Sequence, residues 1–263
     1  MAISLRRVTD ECWEATDHSS TSMTVRGLRR PDSRVQLLVS LDDPVHARPE
    51  MLRVLLSSIR TDVPHELVHQ ADEDQAPWVA DVFREAGFYA AHTDLTVVIT
   101  LDPRRLERLR RVTRAAEVDV IGAADTDLPR LRALDEAVRA DIPGTDGWVW
   151  APEDFVDETF NPDFDPATYR VAVDRPSGEY LGLLRVWMKP AGPVFGCLGV
   201  RRDRRGSRVG AVLVGDVLST LLDRGFHTVR ADVADTNRAS LRVIGRFEHH
   251  VVKRAVEFVH SGG

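Results

Sequence analysis

Apolar and polar positions along this chain follow two periods in alternation, and the alternation predicts an α/β protein. In the C-terminal part, Val194–Val200 is an apolar strand. Beyond a basic turn, Val209, Val212, Leu213, Val217, Leu218, Leu221 and Leu222 recur at helical spacing. Arg224 and Gly225 form a helix stop, and Thr228–Ala234 reads as the next strand. Asp235, Thr236 and Asn237 then open a short helix through Ala239, Ser240 and Leu241, and Val251–Val259 is a last strand. Ahead of these lie a strand at Val118–Ile121, an amphipathic helix at Leu128–Ala140 and an acidic helix at Pro152–Phe160. Paired strands follow at Tyr169–Val173 and Leu181–Met188, joined by a turn at 175–178.

A fainter copy of this order occupies the N-terminal half. It has a strand at Val35–Leu41, a turn at Asp42–Pro49, a helix at Met51–Ile59 and a strand at His65–Gln70. A helix at Trp78–Glu85 follows Asp72, Glu73 and Asp74, then Gly87 and Phe88, then a strand at Leu95–Thr100. Leu52, Val54 and Leu55, then Val79, Val82 and Phe83, are the apolar faces of the two helices. Too few residues precede Val35 for an opening strand and two helices. The segment from Asp102 to Arg114 is rich in arginine. Basic runs of this kind can bind nucleic acid, but Leu101, Leu106 and Leu109 favour a solvated connector helix with one packed face.

Composition adds bounds. The 263 residues suffice for one large domain or two small ones, and the net charge of −6 argues against general nucleic-acid binding and favours cationic small molecules. Two cysteines, Cys12 and Cys197, make neither a disulfide framework nor a metal motif, so a reducing cytoplasm is the expected setting and no metal is assigned. No apolar run reaches membrane-span length, and the N-terminus lacks the apolar core of a signal peptide.

The most chemical stretch runs from Leu198 to Ala211. A strand-to-helix turn aims free backbone N–H groups and the positive helix end at one point, which suits a phosphate or pyrophosphate. Gly206 and Gly210 permit close approach, and Arg205 and Arg208 add charge. The competing reading is a solvated basic turn. With the flanks included, the order strand, loop, helix, strand, Asn, helix resembles the GNAT acyltransferases, the acetyl-CoA-dependent N-acetyltransferases. The family's loop, Arg/Gln-x-x-Gly-x-Gly/Ala, falls on Arg205–Gly210, and the family's helix-opening Asn falls on Asn237. The resemblance covers about Val118 to the end.

The resemblance implies an α/β (α+β) fold with two GNAT-like domains, each a mixed, mostly antiparallel twisted sheet flanked by helices. The domains are residues 1–102, degenerate and truncated, and 115–263, which binds acetyl-CoA, with a connector at 103–114. The alternative for the first half is an unrelated small α/β domain. In the first half two Asp and two Pro replace the loop glycines, so an anion is repelled there. The family's acyl-CoA contacts fall on Leu198 and Val200, on Arg205, Gly206, Ser207, Arg208, Val209, Gly210 and Ala211, and on Asn237 and Ser240.

Three departures follow. Arg208 stands where the family has its middle glycine, Ile244 where it has an acidic Tyr, and Val194 where a general-base carboxylate is common. The remaining acid–base candidates are Asp232, Asp235, Glu248, His249 and Cys197, with Asp232 and His249 foremost. Strand alternation can equally turn Asp232 outward, Cys197 reads more readily as core, and His249 with His250 as a surface pair. On the acceptor side Trp148, Trp150, Phe155, Phe160 and Phe164 are interleaved with Asp146, Glu153, Asp154, Asp157, Glu158, Asp163 and Asp165. Aromatic faces and carboxylates attract an ammonium group, which puts Trp148, Trp150 and Asp154 forward as substrate contacts, against the plainer reading of core anchors and solvated acids. The resemblance implies acetyl transfer to a small-molecule amine by direct attack. The alternative is a catalytically weak or inactive acyl-CoA-binding protein. The short N-terminal element set is expected to pack on the second domain or on a second copy of the chain as a homodimer.

Overall fold

The structure is a computed structural model that describes residues 3–41, 49–63, 65–72, 77–113, 117–143 and 148–261. The turn at Asp42–Arg48, the acidic residues Glu73 and Asp74, and Asp146 lie outside the described residues. In chain order the elements are β1 (Ser4–Thr9), β2 (Cys12–Thr16), β3 (Ser22–Arg29), β4 (Val35–Leu41), α1 (Pro49–Asp62), β5 (Leu67–Asp72), α2 (Pro77–Glu85), β6 (Tyr89–Thr100) and α3 (Pro103–Thr113). Then come β7 (Val118–Gly122), α4 (Leu128–Arg139), α5 (Pro152–Thr159), β8 (Tyr169–Asp174) and β9 (Tyr180–Lys189). β10 (Gly192–Val200), α6 (Val209–Asp223), β11 (Thr228–Ala234), α7 (Arg238–Ile244) and β12 (His249–His260) complete the chain. No described helix is long and apolar enough to cross a membrane.

The chain forms two compact units, one of residues 1–94 with 253–263 and one of residues 95–252. The boundaries fall inside β6 and β12, so the first unit takes most of β12 from the far end of the sequence, while the second is one continuous stretch.

In the first unit the strand order is β1-β2-β3-β4-β5-β12. β4 and β5 are parallel, with Val35 opposite Leu67, and α1 makes the crossover between them. β12 closes on β5 antiparallel, Phe258 opposite His69. Met51, Leu52, Leu55, Leu56 and Ile59 of α1, with Val79, Val82 and Phe83 of α2, bury against Trp13, Ala15, Met23, Val25, Leu37 and Phe258. Two corrections to the sequence reading arise here. Three strands precede β4 where no opening strand was expected, and Val54 is exposed while Met51 and Leu56 complete the packed face of α1. β1 is exposed along its length and carries no apolar alternation, whereas Trp13 and Ala15, then Met23 and Val25, do alternate. Among the described residues no helix lies between these opening strands, so this copy of the fold is a truncated one.

In the second unit the order is β6-β11-β10-β9-β8-β7. One face of this sheet packs on α6, with Leu213, Val217, Leu218 and Leu221 against Val97, Ile99, Leu184, Val186, Val229, Ala231 and Val233. α3 lies along α6, where Leu109 rests against Gly215 and Leu106 is buried. The other face packs on α4 and α5 through Leu131, Leu134, Val138 and Phe155 against Tyr169, Val171, Leu183 and Cys197.

Candidate functional site

The second unit holds a second parallel crossover, β10-α6-β11, and the candidate site lies at its opening. β10 pairs with β11 at Val194–Arg230 and Phe195–Ala231 only. Beyond these pairs β10 continues to Val200 and β11 to Ala234 without registered pairing, so the β10 edge from Cys197 to Val200 faces a groove. Backbone groups along this edge, those of Leu198 among them, are left for a ligand to pair, while the Val200 carbonyl accepts from Arg205. β10 bends here through an irregularity between Phe195 and Cys197, and its other edge stays bonded to β9.

From Val200 the chain makes a 3-10 turn at Arg202–Arg204 and then reverses at Gly206, whose φ of 79° favours glycine. α6 starts at Val209 without a side-chain cap from Arg208. Ser207 supplies one acceptor, its hydroxyl taking the Val209 N–H at 3.3 Å. The next donors, on Gly210 and Ala211, belong to the first helical turn and have no intrahelical acceptor. A β-carbon at 210 would touch only Val200 Cγ2, at 3.5 Å, so the surface above the helix end is open. Arg208 sits at φ −81° and ψ −5°, ordinary right-handed helical backbone. Its replacement of the family's middle glycine therefore costs no strain.

Five arginines lie between positions 201 and 208. Arg201 pairs with Asp203 at 3.1 Å and Glu179 at 3.2 Å, and Arg205 donates to Asp141 at 2.6 Å and to the Val200 carbonyl at 3.3 Å. Arg205 is thus held across the loop by the segment that leaves α4. Asn237 accepts the Ser240 N–H at 3.0 Å and caps α7, so these two residues are joined at the helix start. The Gly210 and Ala211 N–H groups at the start of α6, with the cationic side chains around them, suit the pyrophosphate of an acyl-CoA.

The other predicted residues are placed as follows. Asp232 is exposed on β11, alternating with Val229, Ala231 and Val233 on the α6 side, so it shares the face of α4 and α5. Thr96 donates its hydroxyl to Asp232 at 2.6 Å. His249 is exposed and its Nδ1 lies 3.0 Å from the Phe247 carbonyl, and no hydrogen bond or ion pair among the described residues links it to Asp232. Ile244 is buried in the α6 core. Cys197 is buried on the α4 face, and burial raises its thiol pKa despite nearby Arg139 and Arg185. It is core, not a nucleophile.

Trp148 and Trp150 meet edge to face at 5.5 Å, and the Arg139 guanidinium lies 5.7 Å from one ring and 6.0 Å from the other. The chain's own cation occupies the position expected of a substrate ammonium. Asp154 is exposed in the first turn of α5, and Phe155 is core.

Residues that the sequence reading passed over lie beneath this segment. Asp135 and Arg139 form a buried ion pair one helical turn apart on α4. Burial opposes the charge on Arg139, but the Asp135 carboxylate outweighs it and raises the pKa. Arg185 on β9 and Tyr169 on β8 are also buried, directly across from each other. A lone arginine inside the apolar run Leu181–Met188 was the available signal.

Residues 133–248 match the family described as "Acetyltransferase (GNAT) family". No curated protein matches the sequence. Among solved structures, a GCN5-related N-acetyltransferase from Sphaerobacter thermophilus superposes with a TM-score of 0.70 at 15% identity, over 97% of this chain and 82% of that one. A tandem GNAT protein from the clavulanic acid biosynthesis pathway, solved without AcCoA, gives 0.65 at 13% identity, over 100% of this chain and 84% of that one. A GCN5-related N-acetyltransferase from Kribbella flavida gives 0.57 at 15% identity, over 99% and 91%. These likenesses establish a fold that spans both halves of the chain. The chain is built on the GNAT fold in tandem, and its residues 133–248 match the acetyltransferase (GNAT) family.

Proposed function

We propose that this protein is an acetyl-CoA-dependent N-acetyltransferase that acetylates a small-molecule amine by direct attack in a ternary complex, using the second GNAT-like domain (115–263) alone. The observation that supports it most is the splayed β10 edge leading through Gly206 into the start of α6, where the Gly210 and Ala211 N–H groups have no intrahelical acceptor. The bound co-substrate supplies a thioester carbonyl open to nucleophilic attack.

The chain's residues have three tasks. The free N–H groups at the start of α6, those of Gly210 and Ala211, with the nearby arginines, hold the pyrophosphate. The free backbone of β10 aligns the pantetheine arm by hydrogen bonds, so alignment contributes much of the rate. A base then removes a proton from the amine, which near pKa ~10 is an ammonium in neutral water. Asp232 suits that last role, because it is exposed on the acceptor face and held by Thr96. His249 is the alternative. Facing a carbonyl, its Nδ1 must carry the hydrogen, which leaves Nε2 as the acceptor. Two free cysteines fit a reducing cytoplasm. The open face of the first unit's sheet, with Leu28 and Leu38 exposed, is the surface for a homodimer contact.

A second reading has its own observation. Ile244 replaces the family's acidic Tyr and is packed into the core, so this side chain of α7 offers no proton donor to a departing thiolate. A protein that binds acyl-CoA without turnover fits that arrangement. One assay separates the readings: acetyl-CoA with an amine panel, following free thiol against a no-acceptor blank. Acceptor-dependent thiol release that falls in Asp232→Asn, or in His249→Gln, supports transfer and identifies the base. Tight CoA binding with thiol release at the blank level for every amine supports the second reading.

A further inference from the structure

Arg185 is 3% exposed in the middle of β9. A guanidinium stays charged at every ordinary pH, so burial cannot neutralise it. Among the described residues no carboxylate pairs with it, and its Nε and Nη1 have no hydrogen-bond partner. The contrast with Arg139 on the same face is direct, because Arg139 has Asp135. Arg185 has aromatic faces instead, the Trp187 ring at 4.4 Å and the Tyr169 ring at 5.6 Å. Such contacts offset only part of the cost of desolvating a cation. The Tyr169 hydroxyl is also buried without a partner. Burial raises its pKa, so it remains a neutral donor.

These idle donors lie beside the groove. Arg185 is directly across from Cys197 in β10 and from Tyr169 in β8. A β-carbon on Gly196 would stand 3.0 Å from Arg185 Nε and 2.6 Å from Trp187 Nε1. Gly196 is exposed, and it follows Phe195, the last β10 residue paired with β11. Because position 196 carries no side chain, only the β10 backbone stands there beside the guanidinium and the Trp187 indole.

We propose that Arg185 anchors a carboxylate of the acceptor, with the Tyr169 hydroxyl as second donor, so that the acceptor is an amine that also bears a carboxylate. The planar guanidinium fork matches a carboxylate in paired hydrogen bonds, and the anion supplies the charge that the buried site lacks. Trp187 and Tyr169 present apolar walls to the intervening carbons. The inference rests on the acetyl-transfer reading for the amine end but not for the anion end.

The test uses the full-length protein with CoA or acetyl-CoA present, and glycine, β-alanine, 4-aminobutyrate and phenylalanine as probes, each beside its carboxamide. Binding is read from thermal shift and tryptophan fluorescence, turnover from thiol release. At least one acid is expected to bind tenfold or more tighter than its amide. Arg185→Met is expected to erase that preference, and Tyr169→Phe to reduce it. A third readout needs no ligand: with its unpaired buried cation removed, Arg185→Met should melt about 3 °C or more above the parent. Acids and amides that bind alike, a preference that survives Arg185→Met, or a ligand-free Arg185→Met that melts below the parent each overturn the proposal. Acid-selective binding without thiol release would support the anion site and count against acetyl transfer. Equal turnover of acids and amides would do the reverse.

Discussion

Gly199 of β10 lies so close beneath Val138 of α4 that a β-carbon at position 199 would stand 1.8 Å from Val138 Cγ1. This contact seats α4 on the sheet next to the groove, and Val138 is buried, so it has no room to yield. Gly199→Ala should therefore destabilise the protein by about 1–3 kcal/mol, the usual range for overpacking. Adding Val138→Ala should recover only part of the loss, since the Val138 β-carbon would still be 2.9 Å away. Urea midpoints measure both, and an unchanged midpoint in Gly199→Ala would remove the contact from the account of α4.

At the loop proposed to bind acyl-CoA, folding and binding should separate. Position 210 has space, with only Val200 Cγ2 at 3.5 Å, so Gly210→Asp should fold and melt like the parent. Its carboxylate would stand at the start of α6, where a pyrophosphate is to bind, and each close like-charge pair costs roughly 1 kcal/mol even in water. Affinity for CoA should fall about tenfold or more. Calorimetric titration should also find one site per chain in the parent. Two equivalent sites, or parent-like affinity in Gly210→Asp, would move the site elsewhere.

The contrast between loop and acceptor side explains what the sequence made legible. Gly206, Gly210 and Asn237 act through backbone geometry and local capping, and local geometry is written in local spacing. The strand and helix order from Val118 onward was readable for the same reason, as was β4-α1-β5. β1 was not, because a strand exposed along its length has no apolar alternation. The partners of Trp148 and Trp150 were not readable either. Their aromatic faces meet Arg139 of α4, and only the folded chain shows that the protein's own cation lies against them. Arg185 is the same kind of case, since its chemistry lies in what fails to meet it. The place of β12 beside β5 in the first unit is a pairing between distant parts of the chain, which periodicity does not encode.

His69 on β5 should make stability fall in mild acid. It stacks on Phe83 at 4.0 Å, its Nδ1–H donates to the Leu37 carbonyl at 2.9 Å, and its Nε2 is buried without a partner. Burial is the main cause that lowers its pKa from 6.5 to about 4, with the Leu37 carbonyl and Asp72 opposing. Between those values the unfolded chain binds the proton and the folded chain does not, so stability is lost as pH falls from 6.5 toward 4. The full effect is of order 3 kcal/mol. His69→Asn, which keeps a donor for Leu37 and does not titrate, should flatten this part of the stability–pH curve. If both proteins lose stability equally between pH 6.5 and 4, the titrating group is another one.

The strand from the first half of the chain determines how far the second half can stand alone. A fragment of residues 112–263 lacks Val97, Ile99, Leu101 and Leu106, all at 3% exposure or less in the core under α6. At roughly 1.5–3 kcal/mol for each buried side chain, their loss is comparable with the whole 5–15 kcal/mol that ordinarily holds a domain folded. That fragment should aggregate, or show helical circular dichroism without a cooperative melt. A fragment of residues 95–263 keeps β6 and α3 and should melt cooperatively and bind CoA, below the full chain in Tm because residues 253–260 of β12 have lost β5. If 112–263 instead melts like the full chain with full CoA affinity, β6 is no part of the second unit's stability.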